Sequence, residues 1–182
     1  MIRVKLYIIT VCLLLSFSCV SQRKEFASQS TIRLKGYNTN IRKFLDIDGY
    51  YTASYANLMF FEDGIYQWGG YWGVYKIERD TIIGNFFWKG GIFSSILICE
   101  ERYKIINRKT VQKIYMQSLR KSDAFLYKGN YRSPWLQNEE LHLFVPADSL
   151  PSSDCWLKEE KWIWLNEQDW KNYMGKIKKR NK

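Results

Sequence analysis

The sequence predicts a mainly β domain, a small antiparallel barrel or strongly curled sheet with one C-terminal helix. Three observations lead there. Short apolar and aromatic runs recur from residue 46 to 165, separated by Gly, Asn and Asp turn residues. Aromatic residues make up 17% of the chain, so rings as well as aliphatic groups must fill the core. Only near the C-terminus do apolar residues fall at helical spacing over several turns: Trp170, Tyr173, Met174 and Ile177.

The elements follow in order. Asn57–Glu62 and Ile65–Trp68 form a hairpin across Asp63-Gly64, a pair that supplies the positive φ angles of a two-residue turn. Trp72–Arg79 comes next, then Asp80, then Thr81–Trp88. Gly90-Gly91 marks a turn, and Ile92–Ile106 reads as one long strand or as two joined at a bulge near Glu100. Asn107-Arg108 leads into Thr110–Met116. Further strands are expected at 125–131, at 141–145 and at 161–165, the last carrying Trp162 and Trp164 on one face. Asn166 caps the closing helix, with Glu167 and Asp169 at its positive end and Lys176, Lys178, Lys179 and Arg180 at its negative end. The helix dipole accounts for that basic cluster without a partner.

The N-terminus sets location. Arg3 and Lys5 precede an apolar run, Leu6 to Leu15, which is too short for a membrane span of roughly 20 residues. It matches the apolar region of a secretory signal, about 7–15 residues. Ser16-Phe17-Ser18 then lead to Cys19, and this junction resembles the lipobox of bacterial lipoproteins. The resemblance implies a signal peptide at 1–18, acylation of Cys19 and a membrane anchor in the cell envelope, on the outer membrane. Cleavage after Ser21 is the alternative and gives a secreted or periplasmic soluble protein. Residues 19–45 are polar and basic and read as a flexible tether, in which Ile32 and Leu34 are candidates for an edge strand. Residues 46–182 form one domain.

Net charge is +10 for the whole chain and falls to +8 when Arg3 and Lys5 leave with the leader. Export excludes nucleic acid as the counter-charge; anionic envelope surfaces, or solvent alone, remain. Cys12 leaves with the leader, so Cys99 and Cys155 stay behind in the domain, either as buried thiols or as a disulfide. With no Cys-x-x-Cys and one histidine, no metal motif and no cofactor motif is present.

The barrel reading has a family likeness. Gly49-Tyr50-Tyr51 on an opening strand, the hairpin from Phe60 to Trp72, Trp72-Gly73-Val74-Tyr75, and Trp162-Ile163-Trp164 before the helix resemble the lipocalin-like (calycin-type) barrels of Gram-negative lipoproteins. Lipocalins carry Gly-x-Trp on the first strand where this chain has Gly-x-Tyr. The resemblance covers about residues 46–180 and implies a barrel of antiparallel strands.

Chemistry is sparse. Gly-x-Ser-x-Gly and Gly-rich phosphate loops are absent. Glu62-Asp63, Glu100-Glu101 and Glu139-Glu140 are adjacent pairs, whose side chains face opposite sides of a strand and do not converge. His142 alternates with Leu141 and Leu143 and is assigned to the outer face. No catalytic residue emerges, and the chain is not expected to be an enzyme. The densest local signal is residues 64–73, GIYQWGGYWG, in which Tyr66, Trp68, Tyr71 and Trp72 are candidate ligand-binding residues at a barrel mouth. Equally, these aromatics cover backbone exposed by the glycines. Two functions stay open: a lipid-anchored barrel that binds a small apolar or glycan-like ligand, and a filled scaffold that binds another envelope protein.

Overall fold

The computed structural model describes residues 30–35, 40–53, 56–88, 97–119 and 140–180. The leader with Cys19, the Gly90-Gly91 turn and the strand expected at 125–131 lie outside the described residues. Among the described residues, eight antiparallel strands close into a barrel in chain order: β1 (Gly49–Thr52), β2 (Asn57–Phe60), β3 (Ile65–Trp68), β4 (Tyr71–Glu78), β5 (Thr81–Trp88), β6 (Leu97–Asn107), β7 (Thr110–Ser118) and β8 (Leu141–Pro146). β8 returns to β1, with Phe144 opposite Tyr51 and Pro146 opposite Gly49.

Turn chemistry explains the hairpins. Between β2 and β3, Gly64 N–H donates to Phe61 O at 3.2 Å and Gly64 takes φ 85°, so a turn followed by a left-handed glycine replaces the expected two-residue Asp-Gly turn. Asp63 does a different job there. Its Oδ1 accepts from Ile65 N–H at 3.2 Å, and its side chain is buried. β3 and β4 meet across Gly69-Gly70, with Trp68 opposite Tyr71. No bulge falls at Glu100, which pairs regularly with Gln117; the register shifts instead at Ile114 of β7, skipped opposite Arg102 and Tyr103, and at Ile106 of β6, skipped opposite Val111 and Thr110. Such insertions raise local twist and help a sheet to close.

Alternation along the strands, reset where the β6–β7 register shifts, gives the wall two sides. Inward residues include Tyr51, Leu58, Phe60, Tyr66, Tyr75, Ile82, Phe86 and Tyr103, all at most 3% exposed. Phe60 meets Tyr75 edge-on at 5.3 Å and stacks on Tyr66 at 6.0 Å. One end of the barrel is plugged. A 3-10 turn, Ile41–Lys43, drops Ile41 and Leu45 into the interior at 0% exposure, and Asp46 N–H donates to Arg108 O at 2.9 Å. The Tyr51 hydroxyl reaches both Asp46 O (2.9 Å) and Arg108 O (2.7 Å), pinning plug to wall.

A second apolar cluster coats the outer face of β3–β5. Ile65, Val74 and Phe87 point outward and are covered by Ile32, Leu34, Leu157, Ile163, Trp164 and Tyr173. Short helix α1 (Trp156–Glu159) and helix α2 (Glu167–Arg180) bring these residues in. Asn166 caps α2 as expected, its Oδ1 accepting from Gln168 N–H at 2.8 Å. Residues 161–165 are not a closing strand: Lys161–Ile163 is a 3-10 turn, and Trp164 forms only an isolated parallel bridge with Leu34. The bridge rests on Leu34 N–H to Ile163 O (2.7 Å) and Leu165 N–H to Leu34 O (2.8 Å). Trp162 and Trp164 thus pack on the outside wall and do not fill the barrel. Residues 30–35 and 40–45 fall within the stretch assigned to a tether, yet Ile32, Leu34, Ile41 and Leu45 are buried at 3% or less. Cys99 lies inside the barrel and Cys155 in the outer cluster, and no disulfide joins them.

Candidate functional site

Away from the plug, at the end that carries the Gly69–Gly70 turn, the interior changes character. Trp68 and Tyr71, paired across that turn, stack at 6.0 Å with 26° between their planes. Phe86 approaches both, at 5.6 Å and 6.2 Å. Phe86 is buried, whereas Trp68 and Tyr71 are half-buried. These three rings form an apolar platform near the barrel end.

Beside the platform sits a cation. Lys113, on β7, places Nζ 4.9 Å from the Trp68 ring and 5.7 Å from the Tyr103 ring, within cation–π range. Lys113 is 6% exposed and ion-paired with Glu101 on β6, which is 0% exposed. Burying two charges costs several kcal/mol per ion unless hydrogen bonds complete the site. Here they do. Tyr66 Oη donates to Glu101 Oε2 at 3.2 Å, and Tyr103 Oη to the same oxygen at 3.0 Å. Burial, reinforced by the Glu101 charge, pushes both phenols well above their ordinary range, so both remain donors.

His142 completes the group. It faces inward from β8 opposite Val111, not outward, and is 1% exposed. The alternation with Leu141 and Leu143 was right and the face was inverted: those leucines are 51% and 54% exposed. Its ring meets Tyr103 edge-on at 5.6 Å, but among the described residues neither ring nitrogen has a hydrogen-bond partner. Burial, with Lys113 adding to it, lowers the imidazole to about 4 despite the opposing pull of Glu140. His142 is therefore neutral near pH 7, with one N–H and one lone pair enclosed and unpaired.

Of the four residues singled out from sequence, three converge: Tyr66, Trp68 and Tyr71 face the interior. Trp72 does not. It lies opposite Gln67, faces outward and packs with Phe61 at 6.0 Å in the outer cluster. Glu101, Lys113, Tyr103 and His142 were missed. A signal for two of them existed: Glu101 shares its strand phase with Cys99 and Tyr103, and Lys113 with Val111, so each charge stands at a core position of its strand.

A second polar group lies outside the barrel. Lys158, 2% exposed, bonds Asp63 Oδ2 at 2.6 Å and Ser153 Oγ at 3.1 Å, and stands 5.0 Å over the Tyr173 ring. Ser153 Oγ also donates to Asp63 at 2.6 Å. These groups satisfy one another and clasp the β2–β3 turn to the C-terminal segment. Nearby, Arg42, Asp48, Phe61 and Leu150 line a shallow cleft of about 260 Å³. Among the described residues no cluster of three or more His, Cys, Asp or Glu side chains forms a metal site, and no helix is long and apolar enough to cross a membrane.

The arrangement presents an aromatic face and, behind it, a polar cluster with hydrogen-bonding capacity left over. In comparisons with known proteins, no family model, no curated protein and no solved structure matches the chain.

Proposed function

We propose that this chain is a membrane-anchored lipoprotein of the cell envelope whose lipocalin-like barrel binds a small ligand non-covalently and catalyses nothing. The observation that carries the reading is the asymmetry of the barrel ends. Ile41 and Leu45 plug one end, whereas Trp68 and Tyr71 offer half-buried rings at the other, beside Lys113. Rigid aromatic faces give contact area at low entropic cost. Arg3, Lys5, the run from Leu6 to Leu15 and Ser18-Cys19 support the anchor, through acylation of Cys19.

Single tryptophan substitutions test the site. Trp68→Ala should abolish the fluorescence response to a ligand, whereas Trp72→Ala, on the outer face, should keep it. The reverse result overturns the reading. Mass spectrometry of membrane-extracted protein tests the anchor: acyl mass on a peptide starting at Cys19 supports it, and a mature form starting at Gln22 refutes it.

The second reading, a scaffold that binds another envelope protein, draws on different residues. Phe60, Tyr66, Tyr75 and Tyr103 fill the middle of the barrel, and Leu141 and Leu143 stand exposed on the outer face of β8. Co-purification of one envelope protein, lost when both leucines become Lys, supports it.

A further inference from the structure

The inner end of the barrel site holds an unpaired hydrogen-bonding group, and its surroundings restrict what can pair with it. His142 is buried to 1% exposure, yet among the described residues neither ring nitrogen has a hydrogen-bond partner. A buried polar atom without a hydrogen bond is destabilising, and His142 carries two such atoms. A leucine or phenylalanine at this position avoids that cost, so a role for the imidazole is implied. We infer that His142 recognises the head group of an amphiphilic ligand, that this head is an uncharged hydroxyl or amide, and that the apolar remainder lies along Trp68 and Tyr71. This rests on the reading of that barrel end as a ligand site.

The charge of the head follows from the neighbours. From β6, Glu101 holds the Lys113 ammonium and accepts from both Tyr66 and Tyr103, so the ion pair is already complete. The remaining faces of that ammonium are turned to the Trp68 and Tyr103 rings. A carboxylate head has to displace Glu101 from Lys113 or lie buried near Glu101 without a counter-charge. An ammonium head carries donors only, so it leaves the imidazole N–H unpaired. The carboxylate also leaves an uncompensated buried charge, the costly outcome in a low-dielectric interior. A hydroxyl or a primary amide, by contrast, offers one donor and one acceptor together, which is the complement of a neutral imidazole. Discrimination of this kind is strong because a site built around hydrogen bonds leaves groups unpaired with the wrong head.

The chain has one histidine, so a labelled sample gives one set of imidazole signals without assignment. Four probes share an eight-carbon chain and differ in the head: 1-octanol, octanamide, octanoate and octylamine. Each is titrated at pH 7 into the full domain while tryptophan fluorescence and the imidazole nitrogen signals are followed. The expected result is that 1-octanol and octanamide move both reporters and bind at least tenfold more tightly than octanoate and octylamine. His142→Phe should cost the neutral probes tenfold in affinity, and His142→Gln, which restores a donor and an acceptor, should recover part of it. Fluorescence changes with unmoved imidazole signals overturn the head-group assignment and leave the mouth as a ligand site, a result that needs no variant to fold. Tighter binding of octanoate or octylamine also overturns the assignment. If no probe moves either reporter, the reading of this end as a ligand site falls, and the assignment falls with it.

Discussion

Tyr66 covers Gly84 so closely that a Cβ on the glycine would stand 2.8 Å from both the phenol oxygen and Cζ. The two residues lie on β3 and β5, with Gly73 of β4 between them, and the ring fills the space that two side chains would otherwise occupy. Its hydroxyl then reaches Glu101 on β6. Gly84→Ala is predicted to destabilise the domain by about 1–3 kcal/mol through overpacking. Replacing Tyr66 with Leu in the same chain removes the colliding atoms. The double variant should therefore lose less than the sum of the two single losses, by about 1 kcal/mol in a urea-unfolding cycle. Simple additivity contradicts the contact.

Glu101 and Lys113 offer a second test. Glu101→Gln keeps the shape and leaves the ammonium buried without a counter-charge, a change predicted to cost roughly 3–5 kcal/mol. Adding Lys113→Met removes the stranded charge, and the double variant is expected to be more stable than Glu101→Gln alone. Equilibrium urea melts of the three proteins decide it.

The pH dependence of stability has a sign set by His142. Its folded value of about 4 lies below the ordinary 6.5, so the unfolded chain binds more protons between those limits. Stability from this group is full above about pH 6.5 and is lost as pH falls through about 4, a difference of about 3 kcal/mol. Lys113 from β7, Tyr103 from β6 and Glu140 beside β8 are the charged and titratable groups near the ring. Chemical denaturation at pH 7, 5.5 and 4 should show the decline, and His142→Phe should flatten it. A slope that survives in the variant assigns the effect to other groups.

Helix α2 is held by one buried ring more than by the others. Tyr173 is 6% exposed, tilts against Trp164 at 5.5 Å and carries the Lys158 ammonium over its face. Tyr173→Ala is predicted to cost about 3–5 kcal/mol. Trp170 is half-buried, with Nε1 donating to Glu159 O at 2.9 Å, and Trp170→Ala should cost about half as much or less. Thermal melts of both variants give the order; a reversed order contradicts the packing.

Much of the wall was legible because its turns carry their own chemistry. Asp63-Gly64, Asp80 and Asn107-Arg108 each fall where a strand of alternating character stops, and the hairpins appear there. The stretch from Lys161 to Leu165 misled for a physical reason. Alternating tryptophans suit a strand, but they equally suit a turn laid flat against an apolar wall, and five residues do not distinguish the two. His142 misled because reading its strand assumed that leucines point to the core. In β8 they point out, and the interior takes the imidazole. Glu101 and Lys113 stand on different strands across a register shift, so their meeting depends on a bulge that neither strand announces. Trp72 was grouped with Trp68 by closeness in sequence, though four residues and one tight turn put them on opposite sides of the wall.

Closure by β1 and β8 has a consequence for how the chain is made. Gly49–Thr52 finds its second neighbour only when Leu143–Pro146 exists, so every shorter chain is an open sheet with two unsatisfied edges. Contacts this distant in sequence form slowly, and free edges invite pairing with other chains. The period of greatest danger for this protein is therefore during synthesis, before its last barrel strand arrives, and holding the chain unfolded until then protects it from aggregation.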